Sequence, residues 1–279
     1  MPFYYKPQSI LEYAQCAFYA VSSFITALFN LIKYKPERLI TTGGICAIPV
    51  ALAAVCLFIP VDLYVLDSVP GKALSALAPF ATNIYCCFDS AKNYFSGENV
   101  FFAHYPIRYS HDAIITQKRD ACNYLGLDCT KKVLLVLGGS QGSTFLNDFI
   151  MKWICDNPDR AFKISIIHQY GNDVRRDWNS WYANNHTQAI TFDYAADLSL
   201  YYAAADIVIA RAGAGTIFEL QAFSKKTILI PLETVSTNHQ IDNAVSIVRM
   251  YPDLFNVVSQ KDVEKNPQYL YQHLNALVT

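Results

Sequence analysis

The run Val133-Leu-Leu-Val-Leu137 carries no charge and breaks into Gly138-Gly139-Ser140-Gln141-Gly142, after which a helix-like pattern begins near Ser143. A strand that ends in glycines and resumes as a helix suits an anion: glycine lets the backbone approach closely, and the unpaired N–H groups and positive dipole end of the helix point at the charge. One such loop constrains little. A second follows the strand-like Asp206 to Ala210, in Arg211-Ala-Gly213-Ala214-Gly215-Thr216 through Glu219, and a polar helix start, His239-Gln240 through Asn243, comes after the apolar strand that reaches Pro231. Three small or polar loops at successive strand ends imply one ligand-binding edge.

The pattern around them predicts ten strands: 38–42, 61–66, 83–88, 100–104, 133–137, 163–168, 189–192, 206–210, 226–230 and 256–258. Helical patterns fill most intervals. Short Val/Ile/Leu-rich strands alternating with helices read as parallel sheets covered on both faces, and ten strands suit two such sheets. The polar segment 107–132 separates the halves, giving expected domains of 1–125 and 126–279. Ligands of open α/β sheets bind outside the carboxyl ends of the strands, so two facing sheets would form a cleft.

With 16% charged residues and a formal net charge of -1, the chain has no basic field for nucleic acid. Its eight cysteines lack metal-ligand spacing and several lie in apolar runs, which reads as buried thiols in a reducing compartment and no metal site. Two apolar stretches approach membrane-span length. Tyr13 to Ile32 holds no charge but includes Gln15, Ser22, Ser23, Thr26 and Asn30, and is expected as a largely buried or membrane-apposed helix. Ile45 to Val61 contains Pro49 and Pro60 and is expected as a packed helix leading into a strand, with a membrane span as the alternative.

Several residues carry two readings. Gly138 and Gly139 serve either an anion or a tight turn. Ser140, Gln141 and Gly142 would present donors to a diphosphate. Thr216 and Glu219 stand three apart at a helix start, which is also the spacing of a capping box, while an acidic residue there can accept from a ribose diol. Arg211 is a phosphate partner or pairs with Asp206 or Asp197. His239, Gln240 and Asn243 suit sugar hydroxyls, or are solvated residues at a helix start. His168 directly follows a strand and reads as structural. Asp67, just after the strand ending at Leu66, is either a general base or an ordinary turn aspartate.

Taken in order, Gly138 to Gly142, His168-Gln169-Tyr-Gly171, Tyr202-Ala-Ala-Ala-Asp206, Arg211 to Glu219, and His239-Gln240 through Asn243-Ala244 resemble the successive motifs of the MurG family. These are bacterial N-acetylglucosaminyltransferases that complete the lipid-linked peptidoglycan precursor. The first half is similar in Lys35-Pro-Glu-Arg-Leu-Ile-Thr-Thr-Gly43-Gly44, Pro70-Gly71-Lys72 and Pro106-Ile-Arg108. The resemblance implies a GT-B glycosyltransferase fold of two Rossmann-like domains, and an inverting, metal-independent transfer of N-acetylglucosamine from UDP to an undecaprenyl-diphosphate-linked muramoyl-pentapeptide. It further implies peripheral attachment to the cytoplasmic face of the bacterial plasma membrane. By position, Ser140 would touch the diphosphate, the Ala195 backbone the uracil, Ala214 to Thr216 the phosphates, Glu219 the ribose and Gln240 the sugar, with Arg108 adding a nucleotide contact.

The sequence departs from the family at its start. It opens with Met1-Pro-Phe-Tyr-Tyr and a helix in place of a first strand with a glycine-rich loop, so the first domain is expected to be incomplete. The family's His-Glu-Gln-Asn stretch is reduced to Leu66-Asp67-Ser68-Val69, leaving Asp67 in the acidic position. A missing strand would bare a sheet edge that a complementing chain could cover. The competing expectations are a catalytically impaired or truncated UDP-sugar-binding protein and another glycolipid transferase of the same fold.

Overall fold

The structure, a computed structural model, describes residues 9–139, 141–233 and 239–278. It divides into two compact units, 1–105 and 106–279.

In the first unit a long helix α1 (Ile10–Tyr34) precedes β1 (Leu39–Thr41), α2 (Ala47–Cys56), β2 (Val61–Val65), α3 (Lys72–Leu77), β3 (Asn83–Cys86) and β4 (Val100–Phe102). The strands pair in parallel in the order β1-β2-β3-β4. Buried Asp62 on β2 anchors the sheet's amino end by pairing with Arg38 and accepting from Asn83 Nδ2 at 3.0 Å. Among the described residues β1 has no partner on its outer side, and Ile40 is 64% exposed there. Helix α2 packs through buried Ala51, Ala53 and Ala54 and leads into β2, as expected. Helix α1 is not largely buried, which excludes the first of its two expected settings. Ser9 caps it and Glu12 returns the bond, but along its length Ala27 and Leu31 alone fall below a tenth exposure among the described side chains.

The second unit begins with α4 (His111–Ile114) and α5 (Lys118–Leu125), and continues through β5 (Lys132–Leu137), α6 (Thr144–Asp156), α7 (Pro158–Ala161), β6 (Ile164–Gln169), α8 (Trp178–Asn184), β7 (Gln188–Phe192), α9 (Ser199–Ala204), β8 (Ile207–Ala210), α10 (Ala214–Ala222), β9 (Lys226–Leu229), α11 (His239–Met250), β10 (Phe255–Val257), α12 (Gln260–Lys265) and α13 (Gln268–Val278). All ten expected strands are present, with ends within two residues. The unit boundary lies at Tyr105/Pro106, ahead of the expected 125/126, because α4 and α5 pack on α9 and Lys118 bonds Asp206 at 2.7 Å. The polar face that looked like a linker is the solvated side of docked helices.

The six strands run parallel in the order β10-β9-β8-β5-β6-β7. Numbered from β5, this is the 3-2-1-4-5-6 order of dinucleotide-binding sheets, whose switch point lies between its first and fourth strands, here β5 and β8. Burial of β5 beyond Lys132, and of all of β6 and β8, explains why these strands read as continuous apolar runs. Leu134, Ile150, Trp153, Ile166, Ile209 and Leu274 share one core. Cysteines do not follow a single rule: Cys86, Cys87 and Cys122 are buried, whereas Cys16, Cys46, Cys56 and Cys155 are exposed. Burial pushes the Cys86 and Cys87 thiols up to about 11 and about 12, which makes them inert.

Candidate functional site

Both glycine loops leave strands at the switch point of the second sheet. After β5 the chain turns through Gly139 (φ +85°) and Gly142 (φ +77°) and enters α6, where Ser143 Oγ caps the helix by accepting from Leu146 N. The glycines are needed for space as well as angle. A Cβ at Gly142 would lie 2.6 Å from Tyr170 O, and one at Gly171 would lie 2.3 Å from Gly142 Cα. The loops after β5 and β6 are thus pressed backbone to backbone, and no larger residue fits between them. Ser140 lies outside the described residues. Gln141 O accepts from Asn172 N at 3.4 Å, which ties the loop to the same neighbour.

The loop after β8 carries Arg211, and its N–H reaches Leu137 O on β5 at 3.2 Å. Arg211 is 8% exposed, and its guanidinium donates to Ser143 Oγ at 2.7 Å and Ile230 O at 3.0 Å and lies over the Phe145 ring. Among the described residues it makes no ion pair. Asp206 is held by Lys118 and Val133 N, and Asp197 accepts from Ser199 N, so neither expected acid serves Arg211. Burial lowers its pKa to about 10, leaving a cation at neutral pH without a carboxylate in contact beside the capped start of α6. An anion over the loop would relieve that cost.

Helix α10 starts with Gly213 as N-cap and Ala214, Gly215 and Thr216 as its first turn. Thr216 therefore stands inside the helix, so the capping box that its spacing to Glu219 suggested does not form. The first-turn N–H groups of Ala214 to Thr216 have no intrahelical acceptor, as an anion site requires. Glu219, one turn on, pairs with Arg108 Nε at 3.0 Å and accepts from Tyr202 Oη at 2.8 Å. Arg108 also donates to Tyr109 Oη at 2.9 Å, and that hydroxyl accepts from Leu198 N. Burial, then the Glu219 charge, hold the Tyr202 phenol protonated. Arg108 and Glu219, far apart in sequence, thus share one cluster with Tyr202, which opens one of the family-like motifs, and with Tyr109, which no sequence signal marked.

The remaining candidates separate. Ala195 is half-buried within the mostly exposed loop between β7 and α9. His239 is exposed at the start of α11, Gln240 Oε1 accepts from Leu232 N at 3.0 Å, and Asn243 is fully buried rather than open to a sugar. His168 is structural, as expected: its Nε2 meets Asn147 Oδ1 and its Nδ1 meets Tyr182 Oη, each at 3.0 Å. Asn147 spends its amide on Tyr170 O and Asp173 Oδ2, which fixes the loop against which Gly142 rests. Asp67 occupies the bend between β2 and α3, at the carboxyl edge of the first sheet, half-buried. Gly43 (φ +89°) closes the neighbouring turn after β1, with space for no Cβ against Leu74. Among the described residues, no group of three or more His, Cys, Asp or Glu side chains converges to hold a metal.

The sequence profile described as the glycosyltransferase family 28 C-terminal domain matches residues 133–278. A UDP-N-acetylglucosamine–N-acetylmuramyl-(pentapeptide) pyrophosphoryl-undecaprenol N-acetylglucosamine transferase from Flavobacterium psychrophilum is 30% identical over 257 residues, 91% of this chain and 68% of that one. A protein of the same name from Halothermothrix orenii is 34% identical over 236 residues, 80% of this chain and 62% of its own. The chain thus spans about two thirds of the length of these relatives. Among solved structures, Acinetobacter baumannii MurG is similar in fold, with a TM-score of 0.68 and 21% identity over 94% of this chain and 70% of that one.

Proposed function

The chain belongs to glycosyltransferase family 28, with the α/β units of the GT-B fold, and on that footing we propose that it moves N-acetylglucosamine from UDP-N-acetylglucosamine to an undecaprenyl-diphosphate-linked muramyl acceptor, the lipid of peptidoglycan synthesis. The observation that carries this reading is Arg211, buried and without an ion pair among the described residues, between two glycine loops at the switch point of the second sheet. A sugar nucleotide needs its diphosphate neutralised, and here that task falls to Arg211, the loop at Gln141 and Gly142, and the first turn of α10 from Ala214 to Thr216. Glu219 and Arg108 take the nucleoside, with Glu219 accepting from the ribose while Arg108 turns to the phosphates. His239 and Gln240 address the sugar, Ala195 the base through its backbone. Ser140 and Asn243 belong to the same assignment, Asn243 as a buried support for α11.

In the reaction the acceptor hydroxyl oxygen bonds to the anomeric carbon as that carbon's bond to the β-phosphate oxygen breaks. The electron pair departs on UDP, and the hydroxyl proton passes to Asp67. The developing charge is met by fixed N–H donors and a buried cation, which need no reorganisation. This assigns leaving-group stabilisation to the protein rather than to a metal ion. We read the reaction as one at the cytoplasmic face of a membrane, a reading that the acceptor's lipid tail and the exposed apolar side chains of the first unit support.

The test is transfer of labelled N-acetylglucosamine to a lipid-linked muramyl acceptor by the purified chain. Labelled product supports the reading. UDP-sugar binding without product supports the second reading, a donor-binding protein; a complementing polypeptide beside β1, which has no outer partner among the described residues, would then restore transfer.

A further inference from the structure

Helix α1 is the longest described element and is little covered for its length. Its 24 residues from Leu11 to Tyr34 include a window with mean hydropathy 1.5, of which 6% is buried. A core helix of this composition would be enclosed. From Leu11 to Ser22 nearly every side chain is exposed, around the whole circumference, with Tyr13 at 62%, Phe18 at 69% and Val21 at 58%. Farther along, Ala27 and Leu31 lean on the side of α2, and Ile25, Phe29 and Ile32 project from the opposite face. The polar residues Ser22, Ser23, Thr26 and Asn30 gather at a notch beside Val50 of α2.

We propose that α1 is embedded, N-terminal end first, in the hydrocarbon layer of a phospholipid bilayer. Four observations select this occupant over a protein partner. Exposure on every side of the first half suits a solvent, whereas a partner chain would cover one face. Tyr13 and Tyr34 bracket a stretch about 31 Å long at 1.5 Å per residue, close to the hydrocarbon thickness of a bilayer, and amphipathic rings at both ends suit its interfaces. No charged residue lies between Tyr13 and Ile32, nor from Leu39 to Val61, the segment that carries α2. Exposed Lys33 and Lys35 then form a basic collar at the end where the chain continues to β1, matching anionic headgroups on that side. The attachment is therefore an embedded helix, not a peripheral contact.

The chain carries its own probe, since Cys16 is exposed on the first half of α1 and Cys155 is exposed on α6. The full chain is mixed with phosphatidylcholine vesicles, floated on a gradient in molar salt and in alkaline carbonate, and labelled with a membrane-impermeant maleimide read by peptide mass. The expected result is flotation under both washes, with Cys16 labelling slowed at least about tenfold by vesicles and Cys155 unchanged. Release by salt or carbonate, or equal labelling of the two cysteines, overturns the proposal. So does protection of Cys16 without vesicles in a concentration-dependent dimer, which would make a second copy the occupant. The double variant Phe18→Glu/Val21→Glu changes side chains with little packing to lose and should float roughly a hundredfold less. Undiminished flotation of that variant also overturns it.

Discussion

Lowering the pH should weaken the second unit through His168. Its ring is fully buried, and the two contacts define its state: Asn147 donates its amide nitrogen elsewhere, so its oxygen accepts from Nε2–H, and Nδ1 accepts from the Tyr182 hydroxyl. Protonating Nδ1 would lose that bond and place a charge among Trp178, Tyr182 and the core. Burial accordingly lowers the pKa to about 3 from 6.5. The unfolded chain then binds more protons between those values, so stability is complete above about pH 6.5 and falls as pH drops towards 3. At about pH 5 the loss is on the order of 2 kcal/mol, from 1.5 units at 1.36 kcal/mol each. Urea denaturation of the parent chain and His168→Gln, each at about pH 7.5 and about pH 5, isolates this contribution from the other titrating groups. The parent's advantage should shrink by about 2 kcal/mol on acidification. An advantage that stays constant would refute the burial argument.

Gly142→Ala puts a methyl 2.6 Å from Tyr170 O at a φ of +77°; it should cost about 1 to 3 kcal/mol in thermal or urea unfolding and weaken UDP binding with it. Glu219→Ala releases Arg108 and Tyr202 together, so UDP affinity by calorimetry should drop roughly tenfold or more, since a hydrogen bond to a charged acceptor is worth about 1.5 to 3 kcal/mol. Unchanged affinity would leave Glu219 as a brace for Arg108. Asp67→Asn should reduce kcat about a hundredfold or more at unaltered UDP affinity, and full turnover would remove it as the base.

Legibility followed the range of the interaction. The glycine loops were visible because φ and close approach restrict residue type locally, and the parallel sheets because strands buried on both faces write continuous apolar runs. Arg211 was visible as a residue but not as a buried cation, because Ser143 and Ile230 reach it from other elements. The Thr216 and Glu219 spacing misled because a capping box depends on where the helix starts, and the start at Ala214 shifts Thr216 inward. Asn243 faced the core for the same reason: helix phase is set by packing. Hydropathy named α1 as apolar but does not distinguish a core from a bilayer, and the exposure of Phe18 and Phe29 excludes the core.

The central claim is that Arg211 and the two glycine loops form a diphosphate site. Calorimetric titration with UDP-N-acetylglucosamine, with uridine as control, tests it directly in the parent chain and in Arg211→Met, whose fold is checked by circular dichroism. The account predicts that the parent binds the sugar nucleotide well ahead of uridine and that a folded Arg211→Met loses about 1.5 to 3 kcal/mol of that preference, roughly ten- to a hundredfold. Equal binding of uridine and the diphosphate sugar, or an unaltered preference in the variant, would contradict it.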